Sequence, residues 1–225
     1  MIHKLIVLLV LFSTASIAQT SLPSFFSDGM VLQQNESVAI WGTDNANVTV
    51  SLSASWGEEI STRSDNSGKW KTTINTPSAG GPYTLNITGS EDVKLDNILI
   101  GEVWICSGQS NMEMPVKGYN SQPIIGSNET ILNSRNNQIR LFDTKRNTSL
   151  TPLDNITGEW QEAKPSTVGN FSATAYYFGK KLNDILDVPI GLIHTSWGGS
   201  KAEAWMDAQS LSVFEEITLP DEIPE

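Results

Sequence analysis

Residues 98–115 read ILIGEVWICSGQSNMEMP. The first half, 98–106, is nearly continuous apolar sequence broken by Gly101-Glu102, the pattern of a strand covered on both faces in a parallel sheet. The polar run Ser107-Gly108-Gln109-Ser110-Asn111 follows as a turn, and Pro115 interrupts whatever comes after it. Sites in open parallel sheets lie beyond the carboxyl ends of the strands. A serine hydroxyl in this turn is therefore placed as a nucleophile should be. Ser110 is our first choice and Ser107 its rival within the same turn. A plain strand-to-helix turn with both serines as caps is the alternative.

Towards the carboxyl terminus the sequence alternates strand and helix. Residues 138–142 predict a second strand. Residues 171–186 predict a helix, capped by Asn170 or Ser172, with Phe171, Ala175, Phe178 and Leu182 along one face. Residues 189–195 predict a third strand, and 201–206 open another helix. This order implies a parallel sheet of the doubly wound α/β type. The third strand runs into Ser196-Trp197-Gly198-Gly199-Ser200. Glycines there let backbone N–H groups point at a developing oxyanion, so Gly198 and Gly199 are the expected oxyanion donors. Between these elements, residues 143–167 read as a long loop, of the kind that is functional or mobile.

Towards the amino terminus the pattern is different. Short strand-like runs at 37–41, 47–52, 69–74 and 83–87 are separated by Asp44-Asn45, Asp65-Asn66-Ser67-Gly68 and Ala79-Gly80-Gly81-Pro82. Their alternation and spacing predict an antiparallel β-sandwich without a helix of useful length. Trp41, Trp56 and Trp70 fit either a sugar-stacking face or its core, the core being the commoner use.

The chain has 225 residues and a net charge of -11, from 14 Lys+Arg against 25 Asp+Glu. That balance opposes nucleic acid as a partner, because phosphate binding draws on clustered basic residues. Its single cysteine, Cys106, excludes an internal disulfide framework and a cysteine-cluster metal site. Residues 1–18 combine a basic start, an apolar run and small residues at a cleavage site, which predicts a secretory signal peptide and a secreted or periplasmic mature chain. Three parts are expected: residues 1–18 as signal, 19–97 as β-sandwich and 98–225 as an incomplete α/β domain.

CSGQSNMEMPV and GLIHTSWGGSKAEAWM resemble the sialate O-acetylesterase family of the SGNH hydrolase superfamily, and LPSFFSDGMVLQQ is similar to that family's amino-terminal sandwich. The resemblance implies a secreted serine esterase that removes acetyl groups from sialic acid or related sugars, without metal or cofactor. It implies Ser110 as nucleophile, and the Ser110 N–H with Gly198 or Gly199 as the oxyanion hole. It further implies a later Gln-Gly-Glu segment and an Asp-x-His base, and neither has a counterpart before Glu225. The histidines are His3, inside the expected signal, and His194, on the same strand face as Ile190 and Leu192 and so expected to pack beside the core. We therefore expect the amino-terminal part of a longer enzyme, or a truncated product inactive by itself. The alternative is a non-catalytic secreted carbohydrate-binding or structural protein. Glu113 and Glu203 lie just after the two turns and could approach the site, solvated helix carboxylates being the commoner reading. Trp197 and Trp205 could line a sugar pocket or pack a helix.

Overall fold

A computed structural model describes residues 19–217 of the chain. The expected signal peptide, with His3, lies outside the described residues, as does the stretch from 218 on. In chain order the strands are β1 (Val31–Gln33), β2 (Ser37–Thr43), β3 (Thr49–Ala54), β4 (Glu59–Arg63), β5 (Lys69–Asn75), β6 (Gly80–Thr88), β7 (Asp92–Gly108), β8 (Asn136–Asp143), β9 (Trp160–Ala163) and β10 (Ile190–Ser196). The helices are α1 (Ser110–Glu113), α2 (Ser127–Leu132), α3 (Pro165–Val168), α4 (Ala173–Leu186) and α5 (Ala208–Leu211), with a 3-10 turn at Ala202–Trp205.

Among the described residues eight strands form one mixed sheet, in the order β4-β3-β6-β7-β10-β8-β9 with β1 also on β7, while β2 and β5 make a separate antiparallel pair. The two sheets share a core. Ile40 of β2 and Trp70 and Ile74 of β5 pack with Val50, Leu52, Leu85, Ile87 and Ile98 of the large sheet. Strict alternation makes this possible: in β3 and β5 every second side chain turns inward and the rest face water. The connection from β4 into β5 is fixed locally. Asp65 Oδ1 accepts the N–H groups of Ser67 at 2.7 Å and Lys69 at 3.0 Å, and Gly68 closes the turn at φ 82. A side chain at Gly68 would meet the Asp44 carbonyl oxygen.

The strand expected at 98–106 is the central part of a much longer one. β7 runs 17 residues. Its first half pairs antiparallel with β6 and its second half parallel with β10, while β1 joins parallel at 99–101. The division expected after residue 97 thus falls inside a continuous strand. β7, β10 and β8 are parallel neighbours, and β9 closes the edge antiparallel. The stretch expected as a long loop, 143–167, contains β9 and the start of α3.

Helix α4 covers this part of the sheet. Ser172 caps it, its Oγ accepting the Ala175 N–H at 3.2 Å. The buried face is Ala173, Ala175, Tyr176, Gly179 and Asn183. Phe178, expected on that face, is exposed instead and packs edge-on against Trp104 of β7 at 5.0 Å. The helix is rotated because Gly179 lets β10 approach closely: a Cβ there would sit 2.6 Å from Leu192 Cδ1. The helix expected over 201–206 is only the 3-10 turn.

Candidate active site

Two turns meet at the carboxyl end of the parallel strands. Ser110 is exposed and opens α1 directly after β7, whereas its rival Ser107 stays within β7. The turn after β10 comes back onto this segment: Trp197 N–H donates to the Gly108 carbonyl at 3.0 Å. Gly198 lies against the serine, with a Cβ built on it 3.7 Å from Ser110 Cα. The three residues singled out from the sequence, Ser110, Gly198 and Gly199, therefore belong to one corner of the fold.

Inside this corner the partners differ from those expected. Glu113, for which solvent was the commoner reading, takes the other one and approaches the site: it accepts the Gly198 N–H through Oε2 and pairs through Oε1 with Arg146. Arg146 lies over the Trp197 ring at 5.5 Å. The carboxylate thus stands where an oxyanion at the Gly198 N–H would be held. Gly199 sits at φ 80 with no atom near the position of a Cβ, and among the described residues its N–H has no partner. The Ser110 hydroxyl donates to Gln109 Oε1 at 3.2 Å.

His194 is buried, as its strand face predicts, but it is not merely packed there. Its Nδ1 lies 2.6 Å from Asp143 Oδ1 and its Nε2 2.7 Å from Ser196 Oγ. Parallel register explains the first contact, since Cys106, His194 and Asp143 are direct partners across β7, β10 and β8. Strand alternation explains the second, because residues two apart on a strand share a face. Cys106 is a small apolar filler in this row. Burial pushes its thiol up to about 11, away from the thiolate a nucleophile needs.

Beside the corner lies a cavity of about 400 Å³ walled by the loop 144–149, Leu153, residues 155–157, residues 195–197 and Trp205. Trp197 and Trp205 both line this cavity. Trp41, Trp56 and Trp70 pack in or against the amino-terminal core. Arg146, Asp143 and Ser196 carried no recognisable sequence signal, because each depends on strand register or on the path of a loop.

Comparison with known proteins bears on the fold and the family. No protein-family model matches the chain. A carbohydrate acetylesterase from Xanthomonas citri superposes with a TM-score of 0.81 at 34% identity, covering 86% of this chain and 44% of that one. By sequence the chain is 32% identical to the sialate O-acetylesterase of Rattus norvegicus and 28% identical to that of Homo sapiens, over 84% of its own length in each case. It spans 38% and 39% of those two proteins. The described fold matches that of the Xanthomonas citri carbohydrate acetylesterase over the part that superposes. The chain is a homologue of the sialate O-acetylesterases over the part of their length that it spans.

Proposed function

We propose that the chain is part of a secreted serine carbohydrate esterase that removes O-acetyl groups from sialic acid or related acetylated sugars, with Ser110 as nucleophile. The observation that carries this reading is the approach of the Gly198 turn to Ser110 at the end of β7. A hydroxyl and glycine N–H groups in one corner supply two of the parts that acyl transfer requires. Glu113 then acts as a placeholder: an acetyl group entering the site displaces its carboxylate from Gly198 towards Arg146. Trp197 and Trp205 offer apolar faces for a sugar ring. In this reading the amino-terminal pair of sheets is a β-sandwich, residues 98–217 are part of an SGNH-type sheet, and the signal peptide directs the protein out of the cytoplasm.

The base for Ser110 is not among the described residues, since His194 is committed to Asp143 and Ser196. The longer relatives make sequence outside this chain its expected source, so turnover at Ser110 by residues 1–225 alone should be very low. The test uses the native protein isolated from its source, with acetate release from O-acetylated sialic acid as the readout and intact mass measured on the same sample. Ser110→Ala should lower kcat by about a thousandfold or more with the circular dichroism spectrum unchanged. Wild-type acetate release from the folded variant would overturn the assignment.

A further inference from the structure

The one histidine among the described residues serves a serine other than Ser110. We propose that Ser196 is a second nucleophile, activated by His194 and Asp143, and that this centre accepts short acyl groups from esters of small neutral or anionic alcohols, sugars included. The assignment does not depend on Ser110 being catalytic.

A serine within hydrogen-bond reach of a base that is itself oriented by a third group is the general signature of an activated nucleophile. Here the two contacts are 2.7 Å and 2.6 Å. With the Nδ1–H donated to Asp143, the Nε2 lone pair faces the Ser196 hydroxyl. The ring is held further by the edge of Phe171, whose centroid is 5.4 Å away. Every member stands on β8 or β10, paired strands of the sheet, so the geometry is set before any substrate arrives. Among the described residues Ser110 has no comparable partner.

Ser196 is only 8% exposed, yet it is one of the residues that line the cavity of about 400 Å³. That volume falls within the range of small-molecule sites. Its lining includes Lys145 and Arg146 and no carboxylate, which favours neutral or anionic esters over cationic ones. Trp197 and Trp205 supply apolar wall.

In the reaction Ser196 Oγ attacks the ester carbonyl carbon while its proton passes to His194 Nε2. The bond from that carbon to the alcohol oxygen then breaks, and the alcohol leaves with the proton from Nε2. Water attacks the acyl-serine, giving a proton to Nε2, and the released carboxylic acid frees Oγ to take that proton back. Along the following turn the Trp197 N–H is held by Gly108 and the Gly198 N–H by Glu113, which leaves the Gly199 N–H as the donor without a partner.

An alkyl fluorophosphonate, which phosphonylates activated serines, tests this on the full chain. Trypsin separates the two candidates, since residues 95–117 carry Ser110 and residues 182–201 carry Ser196. We expect phosphonylation in 182–201 and its loss in Ser196→Ala. His194→Gln and the more exposed Asp143→Asn should each slow labelling by about 100-fold, with the circular dichroism spectrum of each variant retained. Label confined to 95–117, no label at all, or labelling of 182–201 that is indifferent to both His194→Gln and Asp143→Asn would overturn the proposal. Label in 95–117 alone leaves the Ser110 reading standing while this one fails. Label in 182–201 alone supports this centre and leaves the Ser110 reading to acetate release by the native protein, since the base for Ser110 is not among the described residues.

Discussion

At the scale of single residues, Asp44 shows how a turn signal becomes a structural anchor. Its Asp-Asn dipeptide reads as a turn, but the side chain is buried and accepts bonds from Thr20 Oγ1 at 2.8 Å, the Ser90 N–H at 3.0 Å and the Asn45 N–H at 2.6 Å. Burial by itself raises the carboxyl, and the bonds from Ser90, Thr20 and Asn45 outweigh it and hold the group below its ordinary 3.8. A carboxyl lowered in the folded state stabilises at pH values above its unfolded pKa, and that contribution is lost as pH falls through the folded one. Asp44→Ala, which leaves three donors unsatisfied, should therefore lower stability by about 2 kcal/mol at pH 7. The difference from the wild type should shrink below pH 4 as the wild-type carboxyl protonates. Urea titrations of both proteins at the two pH values would show it, and an equal difference at both would remove the charge from the explanation.

Among elements, legibility followed length and periodicity. The strands expected at 37–41, 69–74, 83–87 and 138–142 appear with extended ends, and the helix over 171–186 starts two residues later. β1, β4 and β9 were not legible, being short runs whose strand character comes from their neighbours. In β4 alternate residues are only half-buried, so hydrophobicity hardly marks it. The meeting of the two turns was legible where glycine and serine sit at strand ends, at Ser110 and Gly198. What depends on register was not legible, and the pairing of Asp143 with His194 is of that kind. Gly101, which sequence shows only as an interruption in an apolar run, sits where β7 leaves β6 for β10. A Cβ there would lie 2.0 Å from the Pro189 carbonyl oxygen, the same oxygen that accepts the Glu102 N–H at 2.9 Å. Gly101→Ala must push β10 off β7, with a loss of about 3 kcal/mol measurable by urea unfolding. A variant as stable as the wild type would show that the junction yields without cost.

For the whole molecule, β7 decides whether the chain is one folding unit or two. Its residues Leu95 and Ile98 belong to the amino-terminal core, while Cys106 belongs to the core under α4. β1 pairs only with positions 99–101 of β7 among the described residues, so the buried Val31 and Leu32 depend on sequence beyond residue 97. Arg140 of β8 crosses the same seam: it is 3% exposed and donates to Asn97 Oδ1 at 3.0 Å and the Asn137 carbonyl at 2.9 Å. A buried guanidinium so bonded is costly to leave unpaired. Residues 19–97 expressed alone should therefore show no cooperative urea transition, because β1 loses its ladder and the core loses Ile98. Residues 19–108, which restore β7 but expose its far half, should recover a transition at a lower urea midpoint than residues 19–217. The last should unfold in one step by both tryptophan fluorescence and circular dichroism. A cooperative transition in 19–97 matching the first phase of a two-step unfolding of 19–217 would make the amino-terminal sheets an independent domain, and β7 a linker between two stable units.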